Sequence, residues 1–155
     1  MDKQKIASIY SISDLFTEAL DSGATVKLPV KGVSMYPLIR PSRDFALIKK
    51  ADSYSRYDIV FYQRDDGSYV LHRIVGKDGI GFVMAGDSET EKERGVAQSQ
   101  ILAKAQCIIR GKREIEVDSF FYKVYSRLWV ALMPLRPFII GCWLRFCKVR
   151  NKVLK

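Results

Sequence analysis

The chain has 155 residues, of which 48% are hydrophobic, so it is long enough for one domain with a single packed core. Three cysteines and one histidine are too few for a disulfide framework or a common zinc site, so we expect no structural metal. The formal charge of +9 is a basic bias large enough to affect the choice of partner.

The first predicted element is a short amphipathic helix over residues 11–22. Apolar side chains recur on one side of this segment and acidic ones on the other, and Gly23 is placed to end it. The apolar run at residues 6–10 is too short for a secretory signal, and acidic residues follow it at once. We therefore expect no export signal and no spanning segment before Ser34.

Residues 24–117 are predicted to form an antiparallel β body. Short β-branched and aromatic runs alternate there with turn residues, which is typical of strands joined by hairpins. The expected strands cover residues 25–30, 45–49, 58–63, 68–75, 81–85, 101–109 and 114–117. The pairs Asp66-Gly67 and Asp78-Gly79 predict tight turns. Residues 88–100 are polar without strong periodicity and are expected to form a loop.

Residues 119–155 form a basic and aromatic tail. They contain eight Lys or Arg and no acidic residue, which leaves 18 basic and 17 acidic residues in the rest of the chain. Both tryptophans also lie here, and cationic groups among aromatic and aliphatic residues suit a lipid surface rather than a nucleic acid. The sequence thus predicts a folded domain at residues 1–118 and a membrane-associated tail at 119–155, with no nucleic-acid partner.

The tail is predicted to be helical, with an interruption where Pro134 and Pro137 flank Arg136. Its longest uncharged runs, residues 128–135 and 137–144, have 8 residues each. A spanning helix needs about 20 mostly apolar residues. An interfacial or hairpin-like membrane association is therefore favoured over a simple span, and the side of the membrane stays open.

Ser34, His72 and Asp87 follow one another along the chain, and His72 is the single candidate for a histidine base. An alcohol is a useful nucleophile at neutral pH only when a base takes its proton and a third group orients that base. On a strand, Val70, His72 and Ile74 would share one face, so the imidazole would lie against an apolar wall. Such a wall favours the neutral imidazole, which can act as a base. The pattern indicates a serine hydrolase.

Four sequence blocks in a fixed order give a more specific signal. They are Gly32-Val33-Ser34-Met35-Tyr36-Pro37, Asp58-Ile59-Val60, His72-Arg73-Ile74 and Gly86-Asp87. Together they resemble the type I signal peptidase superfamily over about residues 26–95. The histidine is similar to the subclass found in the endoplasmic reticulum, in archaea and among sporulation-type enzymes.

The resemblance implies a mainly β, signal-peptidase-like body and a Ser-His dyad. Ser34 would attack the scissile carbonyl of a signal or leader segment, and His72 would accept the proton of the serine. The reaction would pass through an acyl-enzyme and would need no metal or organic cofactor. The substrate implied is a precursor peptide or protein.

The acidic block departs from the pattern of the family. After Gly86-Asp87 the histidine subclass has a second aspartate six residues on, and here that position holds Glu93. Glutamate keeps the charge and adds one methylene. Asp87 and Glu93 are therefore equal candidates to support His72.

The resemblance also assigns substrate contacts. Met35 and Pro37 are expected to border a groove that binds an extended peptide beside an exposed strand. The Ser34 N–H is expected to help bind the tetrahedral oxyanion.

Two alternatives remain open at the level of function. One is a maturation protease dedicated to the leader of a single peptide. The other is a non-catalytic peptide-binding module of the same fold, which the change at Glu93 keeps possible. The related self-cleaving repressors are a third, disfavoured alternative, because they use a lysine base and because the 33 residues before Ser34 are too few for a DNA-binding domain.

Overall fold

The computed structural model describes the backbone of residues 16–153 and the side chains of residues 16–145. The fold is mainly β, as the sequence predicts: the described residues form an antiparallel sheet of eight strands, preceded by a short helix and followed by C-terminal helices. The first helix, α1, is described at residues 16–21. The remainder of the predicted helix, residues 11–15, lies outside the described range.

The strands and the later helices follow in chain order. They are β1 (Val26–Pro29), β2 (Phe45–Lys49), β3 (Ile59–Gln63), β4 (Tyr69–Lys77), β5 (Phe82–Ala85), β6 (Glu93–Val96), β7 (Ile101–Arg110), β8 (Arg113–Glu116), α2 (Phe120–Ala131) and α3 (Arg136–Val153). Short 3-10 turns at Gln98–Gln100 and Met133–Leu135 precede β7 and α3. Seven strands coincide closely with the predicted runs.

The strands are ordered β1-β2-β7-β3-β4-β5-β6 in the sheet, and β8 pairs with β7. Both predicted turns join antiparallel neighbours, β3 to β4 and β4 to β5. In each turn the aspartate side chain accepts a hydrogen bond from the backbone two residues on: Asp66 Oδ1 accepts from the Ser68 N–H at 2.8 Å, and Asp78 Oδ1 accepts from the Ile80 N–H at 3.1 Å. The hairpin prediction is confirmed.

One strand was not predicted: β6 lies in a segment that the sequence predicts as a loop. Glu93–Val96 pairs with β5, and Glu93 lies opposite Met84. The sequence of this strand, Glu-Arg-Gly-Val, has no apolar alternation, so only its pairing with the neighbouring edge makes it a strand. This correction concerns function, because β6 fixes the position of Glu93.

Strand β4 presents His72 and Arg73 to opposite faces of the sheet, because side chains alternate along a strand. On the His72 face lies an apolar cluster that includes Tyr62, Ile74 and Met84. On the Arg73 face lies a second cluster, made by Val75, Val83 and Ala85 together with Val130 and Met133 from the C-terminal segment.

Helix α2 packs against the body. It begins after Ser119, whose Oγ accepts a hydrogen bond from the Tyr122 N–H at 3.4 Å. The buried side chains of α2 are Tyr122, Ser126, Trp129 and Val130, which share one face at helical spacing. The predicted boundary at residue 118 therefore does not mark the end of the core, since the first helix of the tail contributes to it.

Within residues 16–153, no single helix has both the length and the apolar composition to cross a membrane. Phe120–Ala131 and Met133–Arg145 have that composition only as a pair, and the pair is bent by 69° at the break between them. The break lies at Leu132, just before the 3-10 turn that contains Pro134. The sequence predicts that Pro137 interrupts the tail as well, but it lies in the first turn of α3, where proline is tolerated.

Candidate active site

Ser34 lies in the turn that connects β1 to β2. Gly32 enters this turn with a φ of 78°, a conformation that side-chain-bearing residues rarely adopt, and the Tyr36 N–H closes it on the Val33 carbonyl at 2.9 Å. The Ser34 carbonyl accepts hydrogen bonds from the Ser88 N–H at 2.8 Å and from Ser88 Oγ at 3.1 Å. No described residue accepts a hydrogen bond from the N–H or the Oγ–H of Ser34.

His72 is 4% exposed, and each of its ring nitrogens faces a different group. Nδ1 lies 3.4 Å from Tyr62 Oη, and Nε2 lies 3.7 Å from Glu89 Oε2. The Tyr62 hydroxyl donates its proton to Glu93 Oε2 at 2.7 Å, so its oxygen is left to accept from an Nδ1–H. That tautomer leaves Nε2 unprotonated, which is the form a general base requires.

Glu93 reaches His72 through Tyr62. Arg64 donates to both oxygens of the Glu93 carboxylate, at distances of 2.7 to 3.0 Å, and Tyr62 donates to one of them, Oε2. Burial opposes ionisation of Glu93, but the hydrogen bonds from Arg64 and Tyr62 outweigh it and lower the pKa of Glu93. The chain of contacts from His72 through Tyr62 to Glu93 therefore ends in a charged carboxylate.

Asp87 lies on the other face of β4 and contacts Arg73, not His72. Arg73 binds its carboxylate in bidentate fashion, at 2.8 Å from Nε and 2.7 Å from Nη2, and both side chains are fully buried. Arg73 also donates to the Tyr57 carbonyl and to Tyr122 Oη, each at 3.0 Å. The contacts of Asp87 are those of a structural ion pair.

Glu89 is a site residue that the sequence analysis missed. Its Oε2 accepts a hydrogen bond from the Gly86 N–H at 3.1 Å, and the Glu89 N–H returns to the Gly86 carbonyl at 3.2 Å. This local turn directs the carboxylate to His72 Nε2. A carboxylate three residues after the glycine of the Gly86-Asp87 block is the signal that could have identified it. The side chain is 42% exposed, so it borders solvent as well as the imidazole.

Opposing effects set the protonation of His72. Burial lowers the pKa of His72 below its ordinary value of 6.5, while the charge of Glu89 raises it, and burial dominates. Arg64 lowers the pKa further, and the more distant carboxylates of Glu93 and Asp87 raise it. The net direction is downward, so the imidazole is neutral at neutral pH.

Gly86 brings the two halves of the site together. A Cβ on this residue would lie 2.7 Å from the Ser34 carbonyl oxygen and 2.8 Å from Glu89 Oε2. Only a glycine allows the backbone of the Ser34 turn and the carboxylate that faces His72 to approach the same atom. The Ser34 carbonyl and the Glu89 carboxylate that faces His72 thus both approach Gly86, and no hydrogen bond joins Ser34 Oγ to His72 among the described residues.

His72 opens into a polar cleft of about 350 Å³. Its walls are Arg64, His72, Met84, Glu89, Glu91, Lys92 and Glu93. Among the residues that the structure describes, no group of His, Cys, Asp and Glu is arranged to hold a metal ion.

The two residues expected to border a substrate groove lie in different environments. Met35 is 1% exposed and belongs to the main core, so the structure gives it a packing role in place of the expected contact with substrate. Pro37 lines an apolar cleft of about 900 Å³, between the Ser34 turn, the β7–β8 hairpin and the helices α2 and α3.

No protein-family model matches the sequence, and a search of curated proteins finds no significant match. The resemblance to signal peptidases therefore depends on the four motif blocks of the sequence alone.

Proposed function

We propose that the protein is a serine endopeptidase of the signal peptidase type, which cleaves signal or leader segments from precursor peptides. The observation that carries this proposal is that the Ser34 carbonyl and the Glu89 carboxylate, which lies 3.7 Å from His72 Nε2, approach Gly86 so closely that an added Cβ would lie 2.7 and 2.8 Å from them. Ser34 and His72 would thus approach each other from two sides of Gly86. The three residues follow one another along the chain in the order of the family motifs.

In the proposed reaction, Ser34 Oγ attacks the scissile carbonyl carbon and His72 Nε2 takes its proton. The same proton passes to the leaving amine, which completes the acyl-enzyme. Water, deprotonated by His72 Nε2, then attacks the ester, and the same proton passes to Ser34 Oγ as its bond to the acyl carbon breaks and the acid is released. The Ser34 N–H has no acceptor among the described residues, so it is available for the oxyanion.

The supporting groups have separate roles in this proposal. Tyr62 and Glu93 hold the Nδ1 side of the imidazole, and Glu89 stabilises the imidazolium that forms during attack. Because Glu89 lies 3.7 Å from Nε2 and is partly exposed, the proposed reaction requires Ser34 Oγ to approach that nitrogen beside the carboxylate. Asp87 has no part in the chemistry of this proposal, and its ion pair with Arg73 stabilises the fold.

The deciding experiment is mass spectrometry of a panel of signal-bearing and leader-bearing precursor peptides, incubated with the detergent-solubilised protein. Wild type and Ser99→Ala, a matched change at an exposed serine before β7, are expected to cut after small residues. Ser34→Ala and His72→Gln are expected to lose at least about 1000-fold in rate. Equal cutting by Ser34→Ala would refute the proposal.

One observation favours the second candidate, a peptide-binding module. Both ring nitrogens of His72 already face partners, Tyr62 and Glu89, and Ser34 Oγ is not among them. If wild type binds panel peptides without cutting them, and Ser34→Ala binds equally well, this second function replaces the first.

We further propose that the C-terminal helices contact a membrane surface. Exposed apolar side chains lie on α2, on the 3-10 turn after it and on the first half of α3: Phe120, Phe121, Leu128, Leu135, Phe138, Trp143 and Leu144. Lys123, Arg127 and Arg145 accompany them, and no acidic residue follows Asp118, so the surface suits anionic lipid.

Co-sedimentation with vesicles of phosphatidylcholine and phosphatidylglycerol tests this surface. Replacement of Phe121 and Leu128 by serine is expected to weaken binding by about tenfold or more, because apolar side-chain area no longer enters the bilayer. Ile80→Ser is the matched control, since Ile80 is 81% exposed in the β4–β5 turn, outside the helices. Equal loss in the control, or no binding by wild type, would contradict the membrane proposal.

A further inference from the structure

Arg136 is buried where the sequence predicts a charge in a membrane tail. It is 0% exposed at the first residue of α3. Its Nη1 donates to the carbonyls of Gly86 at 2.8 Å and Glu89 at 3.0 Å. Its Nε and Nη2 both donate to the Trp129 carbonyl, at 3.2 and 3.1 Å. All of these hydrogen-bond acceptors are neutral backbone carbonyls.

The 86–89 loop (residues 86–89) joins the two halves of the candidate site. Its Ser88 binds the Ser34 carbonyl, its Gly86 leaves room for that carbonyl, and its Glu89 faces His72. The position of this loop therefore sets both the nucleophile turn and the charge beside the base.

The C-terminal helices hold the same loop from the other side. Arg136 binds the carbonyls at its first and last residues, and Trp129 Nε1 donates to the Asp87 carbonyl at 3.0 Å. The Arg136 guanidinium also lies 5.4 Å from the centre of the Trp129 ring. The helix pair and the loop thus form one hydrogen-bonded unit.

We propose that Arg136 is a positioning residue of the Ser34–His72 site, which makes the α2–α3 junction part of the active-site framework. The inference rests on the proposed function for its catalytic meaning. Arginine suits the task because its planar fork reaches three carbonyls in fixed directions, whereas a lysine ammonium is a single flexible point charge. The carbonyl of Trp129 is one of the last four of α2 and needs a donor, which Arg136 supplies.

The test uses His72 as its own probe. Because it is the sole histidine, its ring C–H signals in NMR report its titration without assignment ambiguity. In Arg136→Met, the His72 midpoint is expected to move to lower pH, since a released loop takes the Glu89 charge away from the imidazole. The Ser88 amide is expected to exchange with solvent about tenfold faster or more, because its hydrogen bond to Ser34 is lost more often.

Two further variants complete the design. Arg145→Met, an exposed arginine on the same helix, is the matched control and is expected to change neither readout. Trp129→Phe keeps an aromatic ring but removes the donor to Asp87, and it keeps the proposal testable if Arg136→Met does not fold. It is expected to speed Ser88 exchange by a smaller factor. A folded Arg136→Met with unchanged titration and exchange would overturn the proposal.

Activity separates this proposal from the peptidase proposal. On a peptide that wild type cuts, Arg136→Met is expected to lower kcat on the order of 100-fold with little change in KM, as expected when catalytic groups are displaced by about 1 Å. Partial recovery in Arg136→Lys would fit the loss of only some of the carbonyl contacts. If wild type cuts no peptide, the peptidase proposal fails, while the titration and the amide exchange still decide whether Arg136 positions the loop.

Discussion

Arg73 and Asp87 form a buried, bidentate ion pair, with contacts of 2.8 and 2.7 Å, on the face of β4 opposite His72. The side chains of the neighbouring residues His72 and Arg73 thus lie on opposite faces of the sheet. This relationship separates the two carboxylates that the sequence left equal, because the side chain of Asp87 is occupied by Arg73 while Glu93 is connected to His72 through Tyr62.

Asp87→Ala is expected to lower the free energy of unfolding by about 3–5 kcal/mol, since it leaves the Arg73 guanidinium buried without its counter-charge. Urea denaturation measures this loss. Arg94→Ala, which breaks the more exposed Arg94–Asp78 pair, is the control and is expected to cost about 1 kcal/mol or less. A fully stable Asp87→Ala protein with a large loss of activity would instead support a catalytic Asp87.

Tyr62→Phe is expected to lower kcat/KM by about tenfold, because the Nδ1–H of His72 loses its acceptor and Glu93 loses its link to the imidazole. Steady-state kinetics on a cleaved peptide checks this. Tyr69→Phe, at a partly exposed tyrosine stacked on Phe61, is the matched control and is expected to keep wild-type rates. Equal rates in all three proteins would remove Tyr62 and Glu93 from the mechanism.

Gly86→Ala is expected to destabilise the protein by about 1–3 kcal/mol and to reduce activity more strongly than stability. The new methyl group would lie 2.7 Å from the Ser34 carbonyl oxygen, a backbone atom, so the nucleophile turn has to move. Gly79→Ala, where no atom lies within 4 Å of the added carbon, controls for the loss of chain flexibility. Thermal melts and peptide cleavage give the two readouts, and a fully active Gly86→Ala would show that the close approach is unimportant.

The pH dependence of cleavage is expected to follow the lowered pKa of His72. Activity should rise with pH through a midpoint below 6.5, because the neutral imidazole is the base. Stability should follow the same direction. The unfolded chain takes up the proton more readily than the folded one, so the contribution of His72 is complete above pH 6.5 and declines as pH falls from there toward the folded pKa.

Two variants check the sign of this effect. In His72→Gln, the part of the acid destabilisation below pH 6.5 that belongs to His72 should disappear from urea titrations. In Glu89→Gln, the His72 midpoint should move still lower, because the charge that raises its pKa is gone. A midpoint above 6.5 in wild type would contradict the burial of the imidazole as its main determinant.

The sequence alone determined the parts of this protein that depend on local pattern. Alternation of apolar residues and the two Asp-Gly turns set seven strands and their hairpins, and Pro134 marks the end of α2, because strand periodicity and turn chemistry act over a few residues. The motif blocks likewise identified Ser34 as the candidate nucleophile and His72 as the candidate base.

Only the tertiary structure decided which groups surround that pair. The pairing of β6 places Glu93 on the His72 face, the alternation of β4 sends Arg73 to Asp87, and a buried Arg136 ties the tail to the 86–89 loop. These contacts join residues 9 to 50 positions apart, and the first two depend on which face of the sheet a side chain occupies. A shift of register by one residue would reverse every such face, and the register is fixed only when the whole sheet packs.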